Sequence, residues 1–224
     1  MTSEAVYAYY PVFRRTSELR HAEPSFFADQ SDELAALFEK FADRVSVRGA
    51  YTATGLRPDS DLFFWWTAPS VDDAQELLNE LRRTPLGRGM ELTHAFLGVT
   101  RPAEFNPDHL PAFLRGEPPR RYICVYPFVR TEEWYLLPSE QRAQLLREHG
   151  QMGREFPDVY PNTTAAFGLG DWEWILAFEA DDPTRIVDCI RRLREAEARR
   201  YTKIDVPFVV GIRRELREAL ERLA

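Results

Sequence analysis

Five side chains in this sequence combine a chemically useful type with a setting that fixes where it points. His149 lies in the stretch from Ser139 to Phe156, where Leu145, His149, Met152 and Phe156 follow at spacings of 4, 3 and 4 and so share one helical face. Its imidazole is directed to where the helix packs. Pattern alone favours a core histidine bonded to a backbone carbonyl over a metal ligand. Gly150 and Gly153 move that balance. Each weakens a helix by roughly 1 kcal/mol, and without side chains they let a flat, bulky ligand approach the helix face. Imidazole is a common axial ligand of haem iron.

Just upstream, Tyr122, Cys124, Tyr126 and Phe128 alternate with Ile123 and Val125, the period of a strand. If the strand continues, Arg130 shares the face of Tyr126. A tyrosine in a half-buried strand is usually packing with its hydroxyl tied to something polar. Here a guanidinium four residues on suits a carboxylate, and Trp134 and Tyr135 in the following loop add oxidisable rings. His109 lies in NPDHLPAF between two prolines. A loop histidine is usually a solvated surface group, but proline on both sides fixes its direction, and an imidazole near its free pKa is a suitable general base. His21 and His94 have no such setting and read as structural.

The histidines and cysteines show no HxH, HxxxH or CxxC spacing, which argues against a zinc site. Cys124 and Cys189 read as buried free thiols. No glycine-rich phosphate loop and no GxSxG occur. The formal charge of −7 comes from 29 basic and 36 acidic residues, interspersed rather than blocked. Nucleic acid and anionic membrane surfaces are therefore poor partners. No apolar run is long enough to span a bilayer, the N-terminus lacks a basic region followed by an apolar one, and a cytoplasmic protein is expected. The Arg191–Arg200 run, RRLREAEARR, reads as a solvated helix face.

The elements that must position these side chains recur in one order. Val6–Phe13 reads as a strand, Leu34, Leu37, Phe38 and Phe41 as a helical stripe, and Val45–Tyr51 and Leu62–Thr67 as strands around turn chemistry at 55–59. Ser70 caps a second helix carrying Ala74, Leu77, Leu78 and Leu81, and Leu92–Val99 closes the half. Residues 101–120 hold five of the sixteen prolines, which excludes a continuous helix or central strand. Beyond them the order repeats: strand 122–128, helix 139–156, strands 162–167 and 174–179, a helix opened by Asp182-Pro183, and a strand 206–211. The runs beginning at Asp61 and Glu173 match at an offset of 112 residues, half the chain. An α+β protein built from duplicated ferredoxin-like units is expected, forming a dimeric α+β barrel-type subunit. The units are 1–100, a proline-rich linker 101–120 bearing His109, and 121–224. Apolar surface left over favours oligomers.

The residues YICVYPFVRTEEWYLLP, EHGQMGR and GLGDWEWILAFEADDP, with RPAEFNPDHLPAFL upstream, resemble the actinobacterial branch of the chlorite dismutase-like superfamily, whose members are coproheme decarboxylases. The likeness covers nearly the whole chain. It implies that the C-terminal unit binds iron coproporphyrin III (coproheme), and that hydrogen peroxide drives two successive oxidative decarboxylations, through a three-propionate intermediate, to haem b. This is the last step of haem biosynthesis.

By the same resemblance His149 is the proximal iron ligand and Tyr126 the tyrosine that becomes a radical. His109 is the distal base, Arg130 a propionate contact and Trp134 an aromatic at the reacting edge. The family also implies a homopentamer, with ferrochelatase as a natural donor of coproheme. Chlorite-decomposing relatives carry a distal arginine in the strand after the proximal-histidine helix; here that strand reads PNTTAAFG. The alternatives are a chlorite dismutase or haem peroxidase, and a non-catalytic haem carrier or regulatory module in which Tyr126 and Arg130 are dispensable.

Overall fold

The run Leu62–Trp66 is apolar at every position because both of its faces are covered. In the computed structural model, which describes residues 5–102, 104–105 and 110–224, it forms the centre of β3. One compact unit comprises Met1–Thr100 with Val209–Ala224, and the other Arg101–Phe208.

The first unit contains β1 (Tyr7–Arg15), α1 (Pro24–Lys40), β2 (Ser46–Arg57), β3 (Ser60–Ala68), α2 (Val71–Arg83), the short α3 (Pro85–Arg88) and β4 (Met90–Val99). The strands pair antiparallel in the order β4-β1-β3-β2, which is the ferredoxin-like order. On one face Phe64 and Trp66 join Phe13, Leu34 and Phe41, and Leu77 and Leu81 of α2, in a single buried core. On the other face Phe63 stacks on Tyr51 at 5.0 Å and Trp65 meets Tyr10 at 5.2 Å. Ser70 caps α2 as its spacing predicts: Asp73 N–H donates to its Oγ at 3.1 Å, and the hydroxyl donates to Asp73 Oδ2 at 2.6 Å. The expected turn at 55–59 is shorter than its composition suggests, since β2 runs through Gly55, at φ 77°, to Arg57.

The second unit contains β5 (Tyr122–Arg130), α4 (Glu132–Leu136), α5 (Ser139–Gly153), β6 (Tyr160–Ala165), β7 (Trp174–Ala180), α6 (Pro183–Leu193) and the short β8 (Thr202–Ile204). Its strands pair antiparallel in the order β6-β7-β5-β8. Asp182 caps α6 by accepting from Thr184 N–H at 2.9 Å, with Pro183 in the first turn. Trp134, expected in a loop, stands on α4. The 101–120 segment is more than a linker: Phe113 is buried, and its N–H donates to the buried Asn162 Oδ1 at 3.0 Å. Asn162 in turn donates to the fully buried Glu179 at 3.0 Å.

Compactness groups residues 101–120 with the second unit and 209–224 with the first. The closing strand is β9 (Val209–Arg214), followed by α7 (Leu216–Glu221), and β9 pairs with β2 through Tyr51↔Arg213 and Thr52↔Ile212. Local pattern identifies such a strand but not its partner. Gly211 is what permits this pairing, because a Cβ there would enter the Phe63 ring and press on Tyr51. Gly211→Ala is therefore expected to destabilise the protein by about 1–3 kcal/mol, read as a lower urea midpoint at unchanged slope; an unchanged midpoint would show that Phe63 has room to yield.

Candidate functional site

Tyr126, Leu176 and Thr163 form one row across β5, β7 and β6, and Phe128 lies opposite Trp174 in the next row. Residues paired across a sheet point to the same face. These five line a single cavity of about 260 Å³ in the second unit, together with Phe178 from the sheet, Leu146 and His149 from α5, and Ile190 and Leu193 from α6. Arg130 and Trp134 also line it. Four of the five sequence-selected side chains thus meet at one place. His109 lies outside the described residues.

His149 is where the helical spacing puts it, but its neighbours differ from expectation. Leu146, three residues before it, lines the cavity, whereas Leu145, Gly150 and Gly153 do not. No residue of α5 is fully buried, because its inner face covers a cavity instead of a packed core. Among the described residues neither imidazole nitrogen of His149 has a hydrogen-bond partner, so the satisfied core histidine that the pattern favours is not what forms. Burial holds its pKa down to about 4, and the Arg130 guanidinium adds to the effect. The ring is consequently neutral near pH 7, with a lone pair free to bind a metal. Among the described residues no cluster of three or more His, Cys, Asp or Glu side chains could cage a metal.

Arg130 is the complementary feature. Burial lowers its pKa to about 10, which leaves it cationic at neutral pH. Nη1 donates to the Ala198 carbonyl at 2.9 Å, and the guanidinium lies 4.1 Å over the Trp134 ring and 4.7 Å from that of Phe128. Among the described residues no carboxylate sits within ion-pair distance of it. A buried cation without a counterion is costly, and an anionic group entering the cavity would relieve that cost.

Tyr126 is 7% exposed and packs against Phe208 at 4.5 Å and Phe178 at 6.1 Å. Burial pushes its pKa well above the usual phenol value. Its hydroxyl keeps its proton and, among the described residues, has no hydrogen-bond partner. Neutral imidazole, unpaired guanidinium and free phenol around an apolar cleft together fit a large flat ligand that carries a metal and carboxylates.

Sequence reading missed Arg194, Arg199 and Asp205. All three line the cavity, with Asp205 bonded to Arg194 at 2.5 Å and to Arg199 at 2.7 Å. The Arg191–Arg200 run is not one solvated helix face: α6 ends at Leu193, and the chain turns so that Arg194 and Arg199 point inward. Trp174 and Thr163 were also missed, and the alternation of β6 and β7 with β5 was the signal that could have found them.

The imidazole gives a pH test in porphyrin-free protein. A histidine near 4 when folded and 6.5 when unfolded binds more protons in the unfolded chain between those values, so stability falls as pH drops through that window. Wild type is expected to lose roughly 2 kcal/mol more than His149→Gln between pH 7 and pH 5, measured by urea unfolding. Parallel losses would mean that the folded ring titrates normally.

A family profile described as chlorite dismutase matches residues 28–214. The chain is 48% identical to the coproheme decarboxylase of Mycolicibacterium smegmatis over 198 residues, 88% of this chain and 86% of that protein. It is 28% identical over 176 residues to the coproheme decarboxylase of Thermus thermophilus, 73% of this chain and 70% of that one. In fold it is similar to a chlorite dismutase variant from Candidatus Nitrospira defluvii, with a TM-score of 0.88 covering 98% of this chain and 95% of that one at 24% identity. With most of its length matched by one family and nearly half its residues shared with a relative of almost equal span, the chain belongs to the chlorite dismutase family.

Proposed function

We propose that this chain converts iron coproporphyrin III to haem b by two peroxide-driven oxidative decarboxylations. The observation that carries the reading is the convergence of neutral His149, unpaired Arg130 and buried Tyr126 on one apolar cavity. The names of the relatives at 48% and 28% identity support it. In each round one propionate loses carbon dioxide, one proton and two electrons to become a vinyl group, and one peroxide takes up those electrons and two protons to become two waters.

The iron of the bound substrate supplies the oxidising power once peroxide has reacted there. Everything else falls to the chain. His149 offers a neutral nitrogen to the metal from the helix side. Arg130 pairs with a propionate carboxylate and holds that side chain against the Tyr126 edge of the cavity. Trp134, fixed under Arg130, walls off that edge from water. Tyr126 would give up an electron and its phenolic proton, both taken up in reducing the peroxide to water, then recover both as a hydrogen atom from the propionate carbon next to the ring; the carbon radical left would release carbon dioxide and give its second electron to the same oxidant. His109 acts as the distal base that takes the peroxide proton and returns it to the departing oxygen.

Chlorite chemistry is disfavoured by the β6 strand, which presents Thr163 to the cavity and contains no arginine. We also propose a homopentamer working in the cytoplasm, with coproheme received in a transient contact with ferrochelatase. Exposed Leu56, Val187 and Val206 supply apolar surface for subunit contacts, and no helix among the described residues is long and apolar enough to cross a membrane.

Optical titration with coproheme, followed by parallel exposure to peroxide and to chlorite, tests the reading. Tight binding, haem b from peroxide and no oxygen from chlorite are expected. Oxygen release from chlorite without haem b would assign the other branch of the family.

A further inference from the structure

One oxidisable ring of the cavity wall has surroundings that decarboxylation does not use. Trp174 faces the cavity from the start of β7. Phe167 packs edge-on against it with centroids 5.3 Å apart, and Tyr135 stands edge-on to Phe167 at 6.2 Å. The Tyr135 hydroxyl donates to Glu173 Oε2 at 2.6 Å. The same oxygen accepts the Arg130 backbone N–H at 2.7 Å, which fixes the carboxylate in place. Tyr135 is 39% exposed. Cavity wall, bridging Phe167 ring, phenol, proton acceptor and solvent therefore follow one another.

The other two rings lack this arrangement. Trp134 lies under the Arg130 cation, which disfavours a positive charge on the indole. The Tyr126 hydroxyl has no proton acceptor among the described residues. A phenol loses an electron far more easily when its proton has a positioned base to go to, and Tyr135 has one.

We propose that Trp174, Tyr135 and Glu173 form an exit route by which an oxidising equivalent that finds no propionate leaves the cavity. The route rests on the decarboxylase reading for its physiological oxidant, but its chemistry belongs to these three residues. Trp174 gives one electron to the oxidised centre. Tyr135 then gives one electron to Trp174 while its O–H bond breaks and the proton passes to Glu173 Oε2. The exposed phenoxyl radical is reduced by a one-electron donor in solution such as a thiol, and Glu173 returns the proton. The product and the cavity rings are thereby spared.

Pulse radiolysis of the porphyrin-free full chain tests this without substrate or peroxide. Azide radicals oxidise indoles, and decay of the tryptophanyl absorbance with matching growth of the tyrosyl absorbance reports internal transfer. Wild type is expected to show that transfer, Tyr135→Phe and Trp174→Phe to lose most of its amplitude, and Glu173→Gln to slow it several-fold. Transfer of unchanged amplitude and rate in Tyr135→Phe overturns the route while leaving the decarboxylase reading intact. Failure of coproheme turnover in a separate assay would do the reverse.

Discussion

Tyr126→Phe is expected to bind coproheme as tightly as wild type and to form haem b about a thousand-fold more slowly, a loss of roughly 4 kcal/mol of transition-state stabilisation. Binding survives because the hydroxyl has no partner among the described residues, while the ring contacts with Phe178 and Phe208 are kept by phenylalanine. Rate does not survive. Burial keeps the phenol protonated, so the side chain enters the reaction as a hydrogen-atom carrier, and phenylalanine has no O–H to give or recover. Optical titration and chromatography of the porphyrin product separate the two effects. Normal turnover in this variant would remove Tyr126 from the chemistry and would favour a carrier in which it is mere packing.

The second large effect is expected at His149. His149→Ala removes the neutral imidazole that faces the cavity from α5. The absorption spectrum of bound coproheme should shift, and turnover should fall by about a hundred-fold or more. Because no other side chain among the described residues bonds to that ring, the truncation leaves a slot of imidazole shape. Added imidazole is expected to restore much of the spectrum and part of the rate. An unchanged spectrum in the variant would mean that the iron is held by a different group.

These expectations depend on features that differ in how far the sequence exposes them. Tyr126 and Phe128 lie on one face of β5 by strand alternation, whereas Arg130 reaches the same cavity across a register irregularity between Val129 and Arg130, so their convergence was legible from spacing only in part. His149 was legible as facing inward, but not as unpartnered. Whether a helix covers a core or a cavity depends on what lies opposite, and for α5 that is the row of Tyr126, Leu176 and Thr163 brought in from three strands.

Arg194 and Arg199 were illegible for the opposite reason. Their surroundings are rich in alternating charge, and only the end of α6 at Leu193 and the ion pairs to Asp205 turn them inward. The ferredoxin-like order of the first half followed from periodicity. The attachment of β9 to β2 did not, since it depends on Gly211 admitting Phe63 and Tyr51 at close range. His109 was singled out by the prolines around it and lies outside the described residues; its proposed role as distal base is what the family resemblance implies.

The most direct test of the central claim is mass spectrometry of the porphyrin recovered while hydrogen peroxide is added stepwise to protein loaded with iron coproporphyrin III. Loss of one carboxyl group as carbon dioxide with two hydrogens' worth of oxidation, giving a three-propionate species, and then a second identical loss to haem b are expected. Recovery of intact or merely bleached coproporphyrin, with peroxide consumed, would contradict it and would leave the cavity as that of a carrier or peroxidase.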